Sequence, residues 1–155
     1  MIMKQIQLFP ALICFFWVSC GEKPEQPKEV ASPSTSSSAA YDAKKGVGKF
    51  NKVDVSPQLD IKMAEKGNKV YDMKCGSCHK LTEERLVGPG WKGVTSRHAP
   101  EWVMNFVTNV DEMLEKDAVA QAQLEICLVR MPNQNLTDDD ARNIYEFMRK
   151  NDGVK

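Results

Sequence analysis

Large apolar residues in the second two thirds of the chain recur with a helical period over four stretches. Within each stretch they return every three or four positions, which places them on one face of an α-helix. The stretches begin near residues 57, 99, 117 and 137. Their apolar positions are Leu59, Met63, Val70, Tyr71, Trp102, Val103, Phe106, Val107, Val119, Leu124, Ile126, Leu128, Ile144, Tyr145, Phe147 and Met148. This pattern predicts an all-α domain.

Proline, threonine and aspartate residues mark where these helices begin. Pro57 and Pro100 suit the first position of a helix, because the N–H that proline lacks would have no partner there. Thr137 is expected to be the N-cap residue of the last helix. Asp138–Asp140 then place negative charge at the positive end of the helix dipole. Asn151–Gly153 is typical of a helix end. The last helix is therefore predicted with defined limits at both ends.

An uninterrupted apolar run near the N-terminus differs from these periodic stretches. Leu8–Val18 holds eleven residues, too few to span a bilayer as a helix, and it follows the positive charge of Lys4. These features predict a signal peptide over residues 1–19. The run ends at Cys20, whose surroundings resemble the lipobox of bacterial lipoproteins, although Trp17 departs from the usual leucine. The resemblance implies lipidation of Cys20; the alternative is ordinary cleavage nearby, with Cys20 as a plain thiol.

A polar segment over residues 20–45 separates the signal peptide from the helical stretches. It is rich in proline and serine and has few large apolar residues, so it predicts a disordered tether. The folded domain is then expected over residues 46–155. Together with Cys20, this organisation predicts an exported lipoprotein anchored to a membrane and facing the periplasm or the cell exterior.

The charge balance narrows the class of partner. The chain has 21 basic and 21 acidic residues, so its formal net charge is zero. Nucleic-acid binding usually needs a basic surface, and nothing here supplies one. Protein partners are expected instead, and basic residues could steer an acidic one. The basic residues that could do so are Lys74, Lys80, Arg85, Lys92, Arg97 and Arg130.

The segment Cys75–His79 carries the most specific chemistry in the chain. It has the form Cys-x-x-Cys-His, in which two thiols can bond to the vinyl groups of a haem and the histidine can ligate its iron. Zinc binding is poorly supported, because no second cysteine pair accompanies this one. A thioredoxin-like pair would need alternating strands and helices around Cys75, and these are missing. One covalent haem c on Cys75, Cys78 and His79 is therefore predicted.

From about Gly67 to Lys150 the chain resembles a class I, single-haem cytochrome c. Gly67 and Tyr71 match the glycine and aromatic residue of the family's first helix. In that family the first and last helices cross at this glycine, and Ile144 and Phe147 are the matching candidates from the last helix. The resemblance implies a small all-α fold of three to five helices wrapped around one covalent haem.

The same resemblance suggests roles for residues after the haem motif. Pro89 matches the proline whose carbonyl accepts a hydrogen bond from the proximal histidine, here His79; the alternative is a simple turn. Trp91 is expected to pack against the haem. Met131, which precedes Pro132 and the capped last helix, matches the distal methionine and would be the sixth iron ligand. The rivals by residue type are Met104, Met113 and His98, the last expected at a helix entrance on the surface or as a cap.

A cytochrome of this kind transfers single electrons, so the resemblance implies a one-electron carrier between exported or membrane respiratory redox proteins, with no small-molecule substrate. An alternative is a haem sensor that binds a gas or other ligand after displacing Met131. A peroxidase is less favoured, because such cytochromes usually carry two haem motifs. Cys127 is expected to be buried and inert, since its neighbours are Ile126, Leu128 and Val129.

Overall fold

The structure is a computed structural model that describes residues 41–155. The predicted signal peptide, Cys20 and most of the predicted tether lie outside the described residues. The described residues form six α-helices: α1 Ile61–Val70, α2 Val94–Arg97, α3 Pro100–Thr108, α4 Val110–Lys116, α5 Ala118–Cys127 and α6 Asp138–Asn151. A π-helical turn, Tyr71–Cys75, continues α1, and residues 41–155 contain no β-strand. The all-α prediction is confirmed, with more helices than the three to five expected.

The additional helices are short and were not visible as periodic stretches. The four-residue α2 begins after Gly93, which has a positive φ of 74°. Asn109 breaks the helical path after α3 with φ −143° and ψ 61°, and α4 then follows as a separate helix. Neither α2 nor α4 is long enough to show several turns of an apolar face. They join the longer helices without changing the fold class.

The start of α1 differs from the sequence prediction. Pro57 does not begin the helix; Asp60 is the N-cap, and its side chain accepts a hydrogen bond from the N–H of Met63 at 2.9 Å. The carbonyl groups of Ser56 and Pro57 instead accept hydrogen bonds from Arg149 of α6. Because these carbonyls are used by another element, the chain turns before entering α1.

The start and end of α6 agree with the prediction. The Thr137 side chain accepts from the N–H of Asp140 at 3.1 Å, and the Asp140 carboxylate accepts from the N–H of Thr137 at 3.2 Å. This reciprocal pair satisfies two backbone donors at the helix start. The helix ends at Asn151, with Asp152 as its C-cap. Four large apolar side chains of α6 are buried: Ile144, Tyr145, Phe147 and Met148.

The crossing of α1 and α6 forms the centre of the fold and lies at Gly67, as the resemblance implied. A Cβ atom on Gly67 would lie 2.8 Å from Cβ of Phe147 and 2.6 Å from the carbonyl carbon of Asn143. Phe147 was expected at this crossing; the other close group is the backbone of Asn143 rather than Ile144. Backbone and not side chain limits the approach, so only glycine fits here.

We expect Gly67→Ala to destabilise the protein although alanine is the better helix former. The helix propensity gain is about 1 kcal/mol, whereas overpacking against a rigid neighbour costs about 1–3 kcal/mol or more, and here the neighbour is backbone. Denaturant unfolding should show a net loss of about 1–2 kcal/mol. Lys66→Ala, an exposed change in the same helix, should stay within about 0.5 kcal/mol of wild type. Equal stability of the two variants would contradict the tight crossing.

A buried ion cluster joins α6 to the segment before α1. The Glu146 side chain is 1% exposed and accepts hydrogen bonds from Arg142 and Arg149, each at 2.6 Å, and from the N–H of Asp60 at 2.8 Å. Burial alone would raise the pKa of the Glu146 carboxyl. These three donors outweigh burial and hold that pKa below its usual value. The carboxylate form therefore stabilises the folded state.

Replacing Glu146 with glutamine is expected to remove about 3 kcal/mol of stability at neutral pH, because two guanidinium groups lose their buried partner. The stabilisation from a carboxyl of lowered pKa is complete above the unfolded value of about 4.3 and is lost as pH falls through the folded value. Urea unfolding of both proteins at several pH values tests this. The difference should shrink in acid; a difference independent of pH would contradict the ionic contribution.

The segment before α1 packs across α3 and reaches α5. Asn105, 1% exposed, accepts from the N–H of Phe50 at 2.9 Å and donates to the carbonyls of Lys45 and Phe50. The Tyr41 hydroxyl donates to Asp117 at 2.6 Å. Residues 41–45, which the sequence placed in the tether, therefore contact the helical domain. Val53 and Val55 also pack against the core.

Candidate functional site

A cavity of about 490 Å³ lies between the loop after the π-helical turn, α3 and the end of α5. A second cavity of about 100 Å³ shares His79 and Met131 with it. The walls of the larger cavity are mostly apolar. Its lining includes His79, Pro89, Trp91, Val94, His98, Trp102, Val103, Phe106, Val107, Gln123, Ile126, Cys127, Met131 and Met148. The predicted iron ligands His79 and Met131 therefore line the same cavity.

Cys75 is the last residue of the π-helical turn, and Cys78 lies in the turn that follows it. The N–H groups of Cys78 and His79 both donate to the carbonyl of Cys75, at 3.0 and 2.9 Å, so the motif folds as one tight turn. Cys75 is 6% exposed, and burial raises the pKa of its thiol to about 11. Cys75, Cys78 and Cys127 carry free thiols. Within residues 41–155, no group of three or more histidine, cysteine or acidic side chains could hold a metal ion.

His79 is held by the loop that follows it. Its Nδ1 lies 2.9 Å from the carbonyl oxygen of Pro89, and since a carbonyl only accepts, Nδ1–H donates. Burial lowers the pKa of the His79 ring, against an opposing effect of the Pro89 hydrogen bond. The ring is therefore neutral at pH 7, with a free lone pair on Nε2. That is the form in which histidine ligates a metal.

Gly88 allows Pro89 and His79 to approach each other. A Cβ atom on Gly88 would lie 2.7 Å from Nδ1 and 2.8 Å from Nε2 of the His79 ring. Any larger residue would push the imidazole aside. The Gly88–Pro89 pair thus acts through both of its members: the glycine leaves room for the ring, and the proline carbonyl orients it.

Aromatic side chains complete the wall behind His79. Trp91 is 6% exposed, and its ring centroid lies 5.0 Å from that of Tyr71 and 5.6 Å from that of His79. The Tyr71 hydroxyl donates to the carbonyl of His79 at 2.6 Å. Tyr71 also packs on Phe147 of α6. The crossing of α1 and α6 is therefore connected to the histidine through aromatic contacts.

Met131 lies in the loop between α5 and α6 and lines both cavities. The loop is fastened on either side of it: Arg130 donates to Asp111 at 2.7 Å, and Lys74 donates to the carbonyl of Gln134 at 2.8 Å. These contacts restrict the path of the backbone that carries the thioether. Lys74 is adjacent to Cys75, so the loop is attached to the haem motif itself.

The rival methionines lie elsewhere. Met104 is 4% exposed and Met113 is fully buried; neither lines either cavity. The sulfur of Met113 accepts from the N–H of Val47 at 3.0 Å. Met148 of α6 does line the larger cavity, which the sequence did not indicate, since its helical period only placed it on the buried face.

Cys127 is not buried as expected. It is partly buried and lines both cavities. Its neighbours Ile126 and Leu128 are 66% and 84% exposed. Its apolar neighbours had suggested a protein core around Cys127, whereas Ile126 and Cys127 line the cavity. Periodicity alone does not distinguish a face that meets other helices from one that lines a cavity.

The six basic residues that could steer an acidic partner differ in their positions and contacts. Arg85, Lys92 and Arg97 line the larger cavity and Arg130 lines the smaller one. Lys80 pairs with Glu84 at 2.7 Å, and Lys74 holds the Met131 loop. Three cations therefore lie at the larger cavity, and several of the others are already paired.

The donor set and the cavity fit a covalently attached haem. The set contains two free thiols, a neutral imidazole with an available Nε2, and a thioether that lines the same apolar volume. A thioether and an imidazole are the axial ligands typical of cytochromes c. Hard oxygen donors, which calcium or magnesium would need, do not line this volume in a cluster.

Comparison with known proteins supports the same conclusion. The family model for cytochrome c matches residues 64–152. Cytochrome c from Rhodothermus marinus has 28% sequence identity and a TM-score of 0.65, covering 68% of this chain and 90% of that chain. An engineered form of it gives the same values, and an engineered form bound to a carbene intermediate has a TM-score of 0.62 at equal identity and coverage. No curated protein matches. The chain belongs to the cytochrome c family.

Proposed function

We propose that this chain is a membrane-tethered one-electron carrier that shuttles electrons between exported or membrane respiratory redox proteins. Its family and fold support a haem electron carrier. The observation that carries the proposal further is the presence of neutral His79 and Met131 in the walls of one mostly apolar cavity. If both residues ligate the iron, no coordination position would remain open for a substrate.

Each site residue has a role in this proposal. Cys75 and Cys78 would hold the haem through thioether bonds, His79 and Met131 would ligate its iron, Pro89 orients His79, and Trp91 would pack against the group. Covalent haem c supplies a single iron that alternates between the ferric and ferrous states. In this proposal the chain binds the haem and no small-molecule substrate.

The contacts of this chain favour fast exchange because they hold both ligands in place. His79 is fixed through Pro89 and Tyr71, and the Met131 loop is fastened by Arg130 and Lys74. A site whose ligands do not move between oxidation states needs little reorganisation when the electron arrives. The thioether of Met131 also favours ferrous iron and raises the reduction potential.

A redox titration of the full-length protein, matured with haem, tests the function. The expected result is one reversible transition that fits a one-electron Nernst curve, with six-coordinate, low-spin spectra in both states. The haem sensor considered above would instead show a change of coordination on reduction. That outcome would contradict the carrier function.

The tether is proposed from residues outside the described part of the structure. The domain, residues 41–155, contains no helix that is both long and apolar enough to cross a membrane. Lipid on Cys20 would then hold the protein at the membrane, facing the periplasm or the cell exterior. Its redox donor and acceptor would meet the domain there.

Replacement of Cys20 with alanine tests this tether. We expect the wild-type protein in the membrane fraction of a bacterial host and the Cys20→Ala variant in the soluble exported fraction, because the lipid attachment point is lost. Fractionation followed by haem staining measures the distribution. Cys127→Ala is the control and should remain with the membrane. Membrane association of both variants would contradict lipidation of Cys20.

A further inference from the structure

The second histidine of the chain also lies at the haem cavity. The chain has two histidines, and His98 is the one without an assigned role. Its ring stacks on Trp102 with centroids 4.0 Å apart and an interplanar angle of 15°. It does not cap α3, whose N-cap residue is Ala99. His98 is instead a partly buried group in the wall that also contains His79.

His98 lies between this cavity and an outer cleft. The cleft has a volume of about 390 Å³ and is lined by residues that include Lys44, Thr95 and Val119. Arg97 and His98 line both spaces. The imidazole therefore has the haem cavity on one side and a route to solvent on the other. A proton can reach it without entering the cavity.

One hydrogen bond defines the present state of the ring. Nε2 of His98 lies 3.2 Å from the amide nitrogen of Gln123. With the amide in this orientation Gln123 donates and Nε2 accepts, which requires a neutral imidazole. If the amide rotates by half a turn, its oxygen can accept from a protonated Nε2. Gln123 can therefore satisfy either charge state of His98.

The charges around His98 oppose each other. Burial and the positive charge of Arg97 lower the pKa of the imidazole, while Asp117 acts to raise it. Asp117 is fully buried and accepts from Tyr41, from Nε1 of Trp102 at 3.1 Å and from the N–H of Ala120. The other charged or titratable groups lining the two spaces are Lys44, His79, Glu83, Arg85, Lys92 and Cys127.

We propose that His98 takes up a proton from solvent when the haem accepts an electron and releases it when the electron leaves. In the uptake step, an N–H bond forms at Nε2 and an O–H bond of hydronium breaks. The electron comes from the redox donor, so one proton enters the protein for each electron. The inference rests on the proposed one-electron function.

The direction in which reduction changes proton binding at His98 follows from the change in charge of the haem. Reduction would remove one positive charge from a haem held in this mostly apolar cavity, so a cation in the cavity wall would become more favourable. His98 then binds its proton more tightly in the reduced protein than in the oxidised one. Low pH therefore favours reduction. The midpoint potential is expected to change with pH in the range below about 6.5, the ordinary pKa of histidine. The reason is that burial and Arg97 lower the pKa of His98.

Midpoint potentials of the full-length holoprotein between about pH 4.5 and 8 test the inference. For wild type we expect the potential to fall as pH rises between the two His98 pKa values, with a limiting slope of about 59 mV per tenfold change in proton activity. In His98→Gln this dependence should be absent. Lys44→Gln, which changes a residue of the outer cleft alone, should keep the wild-type dependence.

Proton NMR adds a readout that does not depend on potential. The ring of His98 should titrate at a higher pH in the reduced protein than in the oxidised protein, and since the chain has two histidines its signal is identified by its loss in His98→Gln. Equal titration in both states, or a pH dependence unchanged in His98→Gln, would overturn the inference and leave the carrier function intact. Failure of the one-electron titration would overturn both.

Discussion

Replacing both Cys75 and Cys78 with serine is expected to abolish covalent haem attachment while the polypeptide is still made. Serine hydroxyls do not form the thioether bonds that thiols form with the haem vinyl groups. Haem staining after denaturing electrophoresis measures attachment directly, because only covalently held haem stays with the chain. The expected loss is complete.

Cys127→Ser is the matched control for the cysteine pair. Cys127 is a free thiol that lines both cavities, and Cys78 lines the smaller one, but Cys127 lies outside the Cys-x-x-Cys-His motif. This variant should stain like wild type. Attachment that survives in the double variant, or that is lost in Cys127→Ser, would assign the covalent bonds to the wrong residues.

Replacing Met131 with alanine is expected to open the sixth coordination position. The oxidised protein should lose its methionine-to-iron charge-transfer band, the reduced protein should bind carbon monoxide at neutral pH, and the reduction potential should fall because the thioether no longer favours ferrous iron. Axial ligands set haem potentials over a range of about 0.8 V, so this is among the largest effects that one side chain can have.

Met104→Leu is the control for Met131. Met104 lies in the buried face of α3 and outside both cavities, and leucine conserves its volume and apolar character. We expect an unchanged spectrum and no binding of carbon monoxide. If Met104→Leu loses the charge-transfer band and Met131→Ala retains it, the assignment of the sixth ligand is wrong.

The features that the sequence predicted well depend on local chemistry. Thr137 and Asp140 form their capping pair within four residues, and Gly67 has a size constraint that matches a family pattern. The segment Cys75–His79 is equally local. Such features need no knowledge of distant elements, which is why the all-α fold and the haem motif were visible before the structure.

Features that depend on distant partners were missed or misread. Pro57 does not start α1, since Arg149 of α6 occupies the carbonyls beside it. Cys127 was expected in a protein core because its neighbours are apolar, yet that face lines the cavity. A cofactor cavity and a helix interface select the same residue types, so the sequence pattern is the same for both.

His98 illustrates the same limit. It was expected at the surface or as a cap. It is the C-cap of α2, and stacking on Trp102 and a hydrogen bond to Gln123 also place it in the cavity wall. Gln123 lies 25 residues away along the chain. The contact joins the residue between α2 and α3 to α5, and no local pattern encodes it.

The visible spectrum of the full-length holoprotein, recorded oxidised, reduced, and reduced under carbon monoxide, tests the central claim most directly. With His79 and Met131 as ligands, we predict a c-type spectrum with the methionine-to-iron charge-transfer band in the oxidised state and no change on adding carbon monoxide at neutral pH. Absence of that band together with ready binding of carbon monoxide would show an accessible iron and contradict the carrier function.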